Sequence, residues 1–245
     1  MVERLTYVVK EVIDETRDVK TIRIAPERGA IFDFKPGQFV NLAVSVKEGA
    51  PLVARPYSMS STPTNKQHLS LTYKIVDREG SFSQLLKKLR PGDRVFITGP
   101  FGVFTLDPSK HKDVIMIAGG VGITPFHSMV SYCTEKGLAN KLTLLYSNKT
   151  HEDVIFYKEL MELEKRNPNF RCVCTVSRED GSEGWTGMRG RFDAEAIKSH
   201  AGGSLEGKYF MICGSNAFVK AFKDLLLGMG IAKDHVLYEL FGEGV

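Results

Sequence analysis

A chain of 245 residues that is 42% hydrophobic and 25% charged can bury one large core or two ordinary ones, and shows no fibrous or disordered bias. A net charge of +4, with no run of six basic residues, gives nucleic-acid binding little support. The longest apolar stretch, Val114 to Phe126, is broken by three glycines and a proline, too short and interrupted to span a bilayer, and Met1–Thr6 lacks the basic-then-apolar order of a secretion signal. No membrane span and a cytoplasmic location are expected.

Residues 1–106 read as short alternating strands separated by turn residues. The candidates are Leu5–Val12, Val19–Ile24, Gln38–Val44, Ala54–Ser60, Leu69–Ile75 and Arg94–Thr98, with Pro36-Gly37 and Pro91-Gly92 as turns. That pattern predicts a small antiparallel barrel, interrupted by one short helix over Phe82–Leu89. After the loop Asp107–Lys112 the period changes. Apolar strands at Val114–Ala118, Leu142–Tyr146, Phe170–Val176, Tyr209–Cys213 and His235–Leu240 alternate with helices through Cys133, over Val154–Arg166, over Ala194–His200 and over Ala217–Leu227. Strand–helix alternation predicts a five-stranded parallel sheet covered on both faces, over residues 107–245.

The four cysteines are Cys133, Cys172, Cys174 and Cys213. Cys172 and Cys174 share one face of a strand. Four grouped thiolates would be needed for an iron–sulfur cluster, and no such grouping exists, so the first three read as buried thiols and no metal site is expected.

Five stretches carry chemistry. In Arg55-Pro56-Tyr57-Ser58-Met59, a strand puts Arg55, Tyr57 and Met59 on one face and Ser58 on the other. A guanidinium, an aromatic wall and a hydroxyl suit a phosphate, a planar ring and a ring nitrogen; taken alone, an edge strand with a solvated arginine explains the stretch as well. Gly80-Ser81-Phe82-Ser83 opens the barrel's helix, where free N–H groups suit a pyrophosphate, although glycine and serine also begin ordinary helices. Ala118-Gly119-Gly120-Val121-Gly122-Ile123-Thr124-Pro125 follows an apolar strand. Its glycines admit a diphosphate, Thr124 suits a helix cap and Pro125 a first helical position, against the plain alternative of a strand-to-helix turn. Cys213-Gly214-Ser215 ends a strand where open α/β sheets bind ligands, and Tyr238-Glu239-Leu240-Phe241 lies near the terminus. Singly, each of these last two is as well explained as core.

Together and in this order, with Pro36-Gly37-Gln38-Phe39 and Gly99-Pro100-Phe101-Gly102, these stretches resemble the ferredoxin–NADP reductase superfamily, in particular its bacterial oxidoreductase and oxygenase-reductase members. The resemblance covers nearly the whole chain. It implies an FAD-binding barrel over 1–106, an NAD(P)H-binding domain over 107–245, and hydride transfer from NADPH or NADH to FAD. Electrons would then pass to a separate acceptor: a ferredoxin, a flavodoxin, an oxygenase component or a small molecule.

By that resemblance Arg55 holds flavin phosphate, Tyr57 flanks the isoalloxazine with Pro56 beside it, and Ser58 hydrogen-bonds near N5. Tyr73 and Lys74 lie on a strand that runs beside the flavin's ribityl chain, and Gly80, Ser81, Phe82 and Ser83 form the pyrophosphate loop. Gly120, Gly122, Thr124 and Pro125 cradle the nicotinamide nucleotide. Cys213, with Gly214 and Ser215, sits beside the nicotinamide. Glu239 and Phe241 match a glutamate-x-aromatic ending whose ring covers the flavin; here Gly242–Val245 follow it. Ser177 and Arg178 resemble a stretch that grips the 2′-phosphate of NADPH, opposed by the negative charge of Glu179 and Asp180, with Arg189 or Arg191 as substitutes. A flavin reductase acting on free flavin, and an electron-transfer subunit of a larger complex, are the rival readings.

Overall fold

The computed structural model describes residues 4–45, 51–178 and 184–242. The first six strands are β1 (Leu5–Thr16), β2 (Val19–Pro26), β3 (Phe39–Ser45), β4 (Leu52–Ser58), β5 (Leu69–Lys74) and β6 (Arg94–Phe101), in the sheet order β4-β3-β6-β1-β2-β5. A Met59–Leu71 bridge joins the end beyond β4 to β5, so the two edges meet and the sheet curls into the expected barrel. Alternation places Tyr7, Val9, Ile22, Ile24, Val40, Leu42, Leu71, Val95 and Ile97 inside. Helix α1 (Phe82–Leu86) plugs one end with Phe82 and Leu86. It stops before the expected Leu89: Lys88 N and Leu89 N donate back to Leu85 O and Leu86 O in tight turns.

The second half is β7 (Asp113–Gly119), α2 (Thr124–Glu135), β8 (Lys141–Asn148), α3 (Tyr157–Arg166), β9 (Phe170–Val176), β10 (Met188–Arg189), α4 (Ala194–His200), β11 (Tyr209–Ser215), α5 (Asn216–Gly228) and β12 (Val236–Phe241). The sheet runs β10-β9-β8-β7-β11-β12 and is parallel throughout. The expected five strands are therefore six. The addition is the two-residue β10, paired through Met188 with Thr175 and Arg189 with Val176, which is too short to show a period. Helix α3 begins three residues later than the expected Val154, because Phe156 has a left-handed backbone (φ 61°) that a helix interior does not accept.

From β7 the chain proceeds outward to β8 and β9, then returns to β11 and β12 on the other side. Adjacent β7 and β11 thus mark the reversal of strand order, where loops diverge to opposite faces and leave a crevice. The two halves are fastened around it. His127 Nδ1 and Ser128 Oγ of α2 lie 2.8 and 2.7 Å from Ser60 O and Ser61 O of the barrel. Gly37 (φ +100°) packs so closely on Phe104 O and Met129 that a Cβ would sit 2.3 Å from that oxygen.

Candidate functional site

A cleft of about 960 Å³ opens between the barrel and the carboxyl ends of β7, β8, β9, β11 and β12. On the barrel wall, β4 contributes Pro56, Tyr57 and Ser58. Tyr57 stacks on Phe82 (centroids 6.1 Å) and meets Tyr73 edge-on, and the Arg55 guanidinium stands 5.8 Å over that same Phe82 ring. Arg55 and Tyr57 therefore share a face, as strand alternation requires. Tyr57 Oη is buried without a hydrogen-bond partner, and burial pushes its phenol upward.

Other barrel residues are engaged within the protein. Tyr73 Oη donates to Leu86 O (3.1 Å), and Lys74 Nζ pairs with Asp18 (2.7 Å). Ser81 Oγ donates to Val76 O (3.2 Å), while Ser83 Oγ accepts from Val76 N (2.9 Å). The two serine hydroxyls thus close the Val76–Ser83 loop. What the loop presents beyond itself is backbone N–H at the start of α1. Arg55, Gly80, Ser81, Phe82 and Ser83 lie beside the cleft and are not part of its lining.

On the opposite wall, β7 ends in a single 3₁₀ turn, Gly120–Ile123, that leads into α2. Gly120 (φ +52°) has open space where a Cβ would stand. At Gly122 a Cβ would lie 2.3 Å from Cys213 O, so only glycine lets this turn rest on β11. Tyr146 Oη donates to Gly120 O (3.0 Å) and holds the turn. Pro125 stands in the first turn of α2, as expected. Thr124 differs from the expected cap: it is itself helical, Ile123 occupies the cap position, and Thr124 Oγ1 donates to Val121 O (3.2 Å).

Cys213 is 0% exposed, in register with Glu239 on β12 and behind Gly214 and Ser215, which line the cleft. Burial first, and the nearby Glu239 carboxylate second, push the Cys213 thiol well above its ordinary range. Ser58 Oγ donates to Glu239 Oε2 (3.1 Å) across the domain boundary. Burial raises the Glu239 carboxyl to about 7, and the Ser58 hydrogen bond opposes that rise. Leu237, Glu239 and Phe241 alternate onto the less exposed side of β12, and Glu239, Leu240, Phe241 and Gly242 line the cleft. Glu243–Val245 lie outside the described residues.

At the far end, Ser177 N and Oγ both donate to Asn148 O (3.1 and 3.2 Å), and Arg178 N donates to Lys149 O (2.9 Å). Ser177, Arg178 and Arg191 line the cleft; Arg189 instead donates to Trp185 O (2.5 Å) and does not. Glu179 and Asp180 lie outside the described residues. Sequence reasoning missed Phe218, whose ring lies where a Cβ on Gly119 or Gly214 would fall, and Asn148 at the tip of β8. The available signal was position: both stand at carboxyl ends of parallel strands or just beyond. Cys172 and Cys174 present their sulfurs 3.7 Å apart on one strand face, away from this lining; Cys172 is half-buried.

This geometry defines a two-domain nucleotide-binding oxidoreductase. Residues 6–106 match the model of the oxidoreductase FAD-binding domain family, and residues 116–224 that of the oxidoreductase NAD-binding domain family. Ferredoxin–NADP reductase B of Sorangium cellulosum is 33% identical over 218 residues, 87% of either chain. A glycine betaine monooxygenase reductase subunit of Chromohalobacter salexigens is 33% identical over 233 residues, 95% of this chain and 62% of its own. A ferredoxin NADP+ reductase structure from Neisseria gonorrhoeae, with bound FAD and NADP, superposes with a TM-score of 0.83 at 25% identity, covering 98% of this chain and 99% of that one.

The chain belongs to the ferredoxin–NADP reductase superfamily. It spans less than two thirds of the length of oxygenase-reductase relatives such as that of Chromohalobacter salexigens. Among the described residues no helix is long and apolar enough to cross a membrane. The cleft suits FAD and a nicotinamide nucleotide together. It offers an aromatic wall with an unpartnered hydroxyl at Tyr57, a glycine turn that leaves backbone open at Gly120, and volume that continues across both domains.

Proposed function

We propose that the chain is an NAD(P)H-dependent flavoprotein reductase, taking hydride from NADPH or NADH onto tightly held FAD and passing electrons to a separate acceptor. The observation that carries this reading is the Ser58–Glu239 hydrogen bond, which joins the two walls inside one continuous cleft. Bound FAD supplies a hydride acceptor that releases its electrons one at a time.

The chain's own residues would bind, align and exclude water. Pro56, Tyr57 and Phe241 form apolar walls for a planar ring. Arg55 and the N–H groups opening α1 suit the flavin's phosphates, with the Ser81 and Ser83 hydroxyls also shaping the loop and the Ser83 proton left to donate. Tyr73 and Lys74 support that wall through Leu86 and Asp18. Gly120 lets a diphosphate approach the first turn of α2, which Thr124 and Pro125 open and Gly122 seats on β11, while Gly214 and Ser215 border the reacting end. The Ser58 hydroxyl, held by Glu239, is poised to hydrogen-bond a ring nitrogen, and Glu239, with its carboxyl at about 7, can hold a proton there near neutrality. Cys213 would act through alignment.

A ferredoxin, flavodoxin or oxygenase component is the proposed acceptor, in keeping with the relatives' names. Four cysteines outside any disulfide suit the cytoplasm. We place the domain boundary at residues 106/107, in the loop before β7. The free-flavin reductase reading gains from the internal engagement of Ser81 and Ser83. Gel filtration followed by chromatography of the extracted chromophore separates the two: the proposal expects about one FAD per chain. Recovery of FMN, or loss of all flavin on the column, overturns it. Oxidation of NADH and NADPH against a panel of acceptors then tests turnover.

A further inference from the structure

Asn148 ends β8, one strand beyond the glycine turn and next to Ser177 and Arg178 on β9's carboxyl end. The residue is 5% exposed and lines the cleft, yet its Oδ1 has no hydrogen-bond partner. The amide engages the Tyr146 hydroxyl, and because the single proton of that hydroxyl goes to Gly120 O, it can do so only as a donor, through Nδ2. Oδ1 therefore has no donor available from Tyr146. The backbone carbonyl of Asn148 is taken by Ser177, so the segment is held in place without help from the amide oxygen. A buried amide oxygen left unpaired is destabilising, which makes it a poor choice for packing alone.

We propose that Asn148 is a nucleotide-binding residue whose Oδ1 accepts a hydrogen bond from a ribose hydroxyl in the adenosine half of the dinucleotide. This rests on the nucleotide reading given above. Strand order supplies the location. The sheet runs from β11 and β12, which carry Cys213 and Glu239, through the glycine turn after β7, to the tips of β8 and β9. A dinucleotide whose reacting ring stands at the first and whose diphosphate stands at the second reaches β8 with its adenosine half. Chemistry supplies the group. An unsatisfied acceptor repels phosphate oxygen and calls for an O–H donor, which the adenosine ribose provides. Arg178 and Arg191 line the same cleft, so charge recognition and hydroxyl recognition are divided between different side chains.

Calorimetric titration of the FAD-loaded protein with ADP-ribose, alongside thermal unfolding without nucleotide, tests the assignment. Asn148→Leu, close in volume and apolar, is the main variant, and Asn148→Ala guards against overpacking by leucine. Expected is an ADP-ribose Kd raised about tenfold in both, with a melting temperature equal to or above that of the parent in at least one, because the unpaired amide oxygen is gone. An unchanged Kd overturns the inference. So does a fall in melting temperature in both variants, which would assign Asn148 to the scaffold. Failure of the parent protein itself to bind ADP-ribose overturns the nucleotide reading rather than this residue's part in it.

Discussion

On the barrel side of the cleft, Ser81 and Ser83 hold Val76, Lys74 holds Asp18, and Tyr73 holds Leu86. On the α/β side, the Gly120 backbone stands open, Gly122 presses against Cys213 O, and Asn148 Oδ1 has no partner. The barrel uses side-chain hydrogen bonds to shape backbone around a ligand, whereas the sheet uses missing side chains and strand ends. The difference follows from topology. A barrel has no free strand-order reversal, so its site must be built on a loop and a short helix, while a doubly wound sheet generates a crevice wherever its order reverses.

Substitutions on the α/β side should test this contrast most sharply. Cys213→Ala removes a wholly buried sulfur beside Glu239. It should slow flavin reduction on the order of a hundredfold at saturating nucleotide, through misalignment of roughly 1 Å, with little change in nucleotide Kd. Stopped-flow absorbance reads both quantities, and an unchanged reduction rate would make Cys213 ordinary core.

Next in size is Gly122→Ala. Its Cβ meets backbone rather than a yielding side chain, so stability should fall by about 1–3 kcal/mol in chemical denaturation. Gly120→Ala meets nothing and carries only its left-handed backbone, which costs about 1 kcal/mol. Equal losses at the two positions would show that close packing on β11 is not what selects glycine at 122.

Arg178→Ala should raise the KM for NADPH about tenfold while leaving that for NADH nearly unchanged, the signature of a guanidinium that reads a 2′-phosphate. Arg191→Ala should act in the same direction, and Arg189→Ala, outside the cleft, should not. Equal effects of Arg178→Ala on both nucleotides would remove the 2′-phosphate role from Arg178.

The smallest expected effect concerns Glu239. Its folded carboxyl titrates near 7, above its ordinary 4.5, so the folded state binds the proton more tightly than the unfolded chain. The contribution of Glu239 to stability is therefore fullest below pH 4.5, declines as pH rises toward 7, and is flat above. Partial solvent access through the cleft holds the change to on the order of 1 kcal/mol. Comparing urea unfolding of the parent and Glu239→Gln at pH 5 and pH 8 should show the decline only in the parent. The same slope in both would place its origin elsewhere.

Period and punctuation in the chain sufficed for much of this. Alternating apolar residues through β1 to β6 required a barrel, and apolar runs followed by amphipathic helices required a parallel sheet, because each pattern buries its apolar face in only one way. The backbone setting of the motif at 55–58, of the glycines at 120 and 122 and of the pair Glu239 and Phe241 was legible for the same reason: each depends on local backbone form or strand alternation. The sixth strand was not, since two residues carry no period, and neither was the start of α3, which turns on the left-handed Phe156. Nor does sequence spacing tell which hydroxyls are already taken. That Ser81 and Ser83 also tie their own loop to Val76 shows only in the structure, and Thr124 read as a cap until its bond to Val121 O is seen. What only the tertiary structure decided was the meeting of residues far apart in the chain, Ser58 with Glu239 and Gly122 with Cys213, the presence of Arg178 and Arg191 in one cleft, and the buried Asn148 Oδ1 left without a partner. Hydrogen-bond satisfaction and close approach are sums over every neighbour a group has, and those neighbours are assigned when the sheets close and the two domains dock.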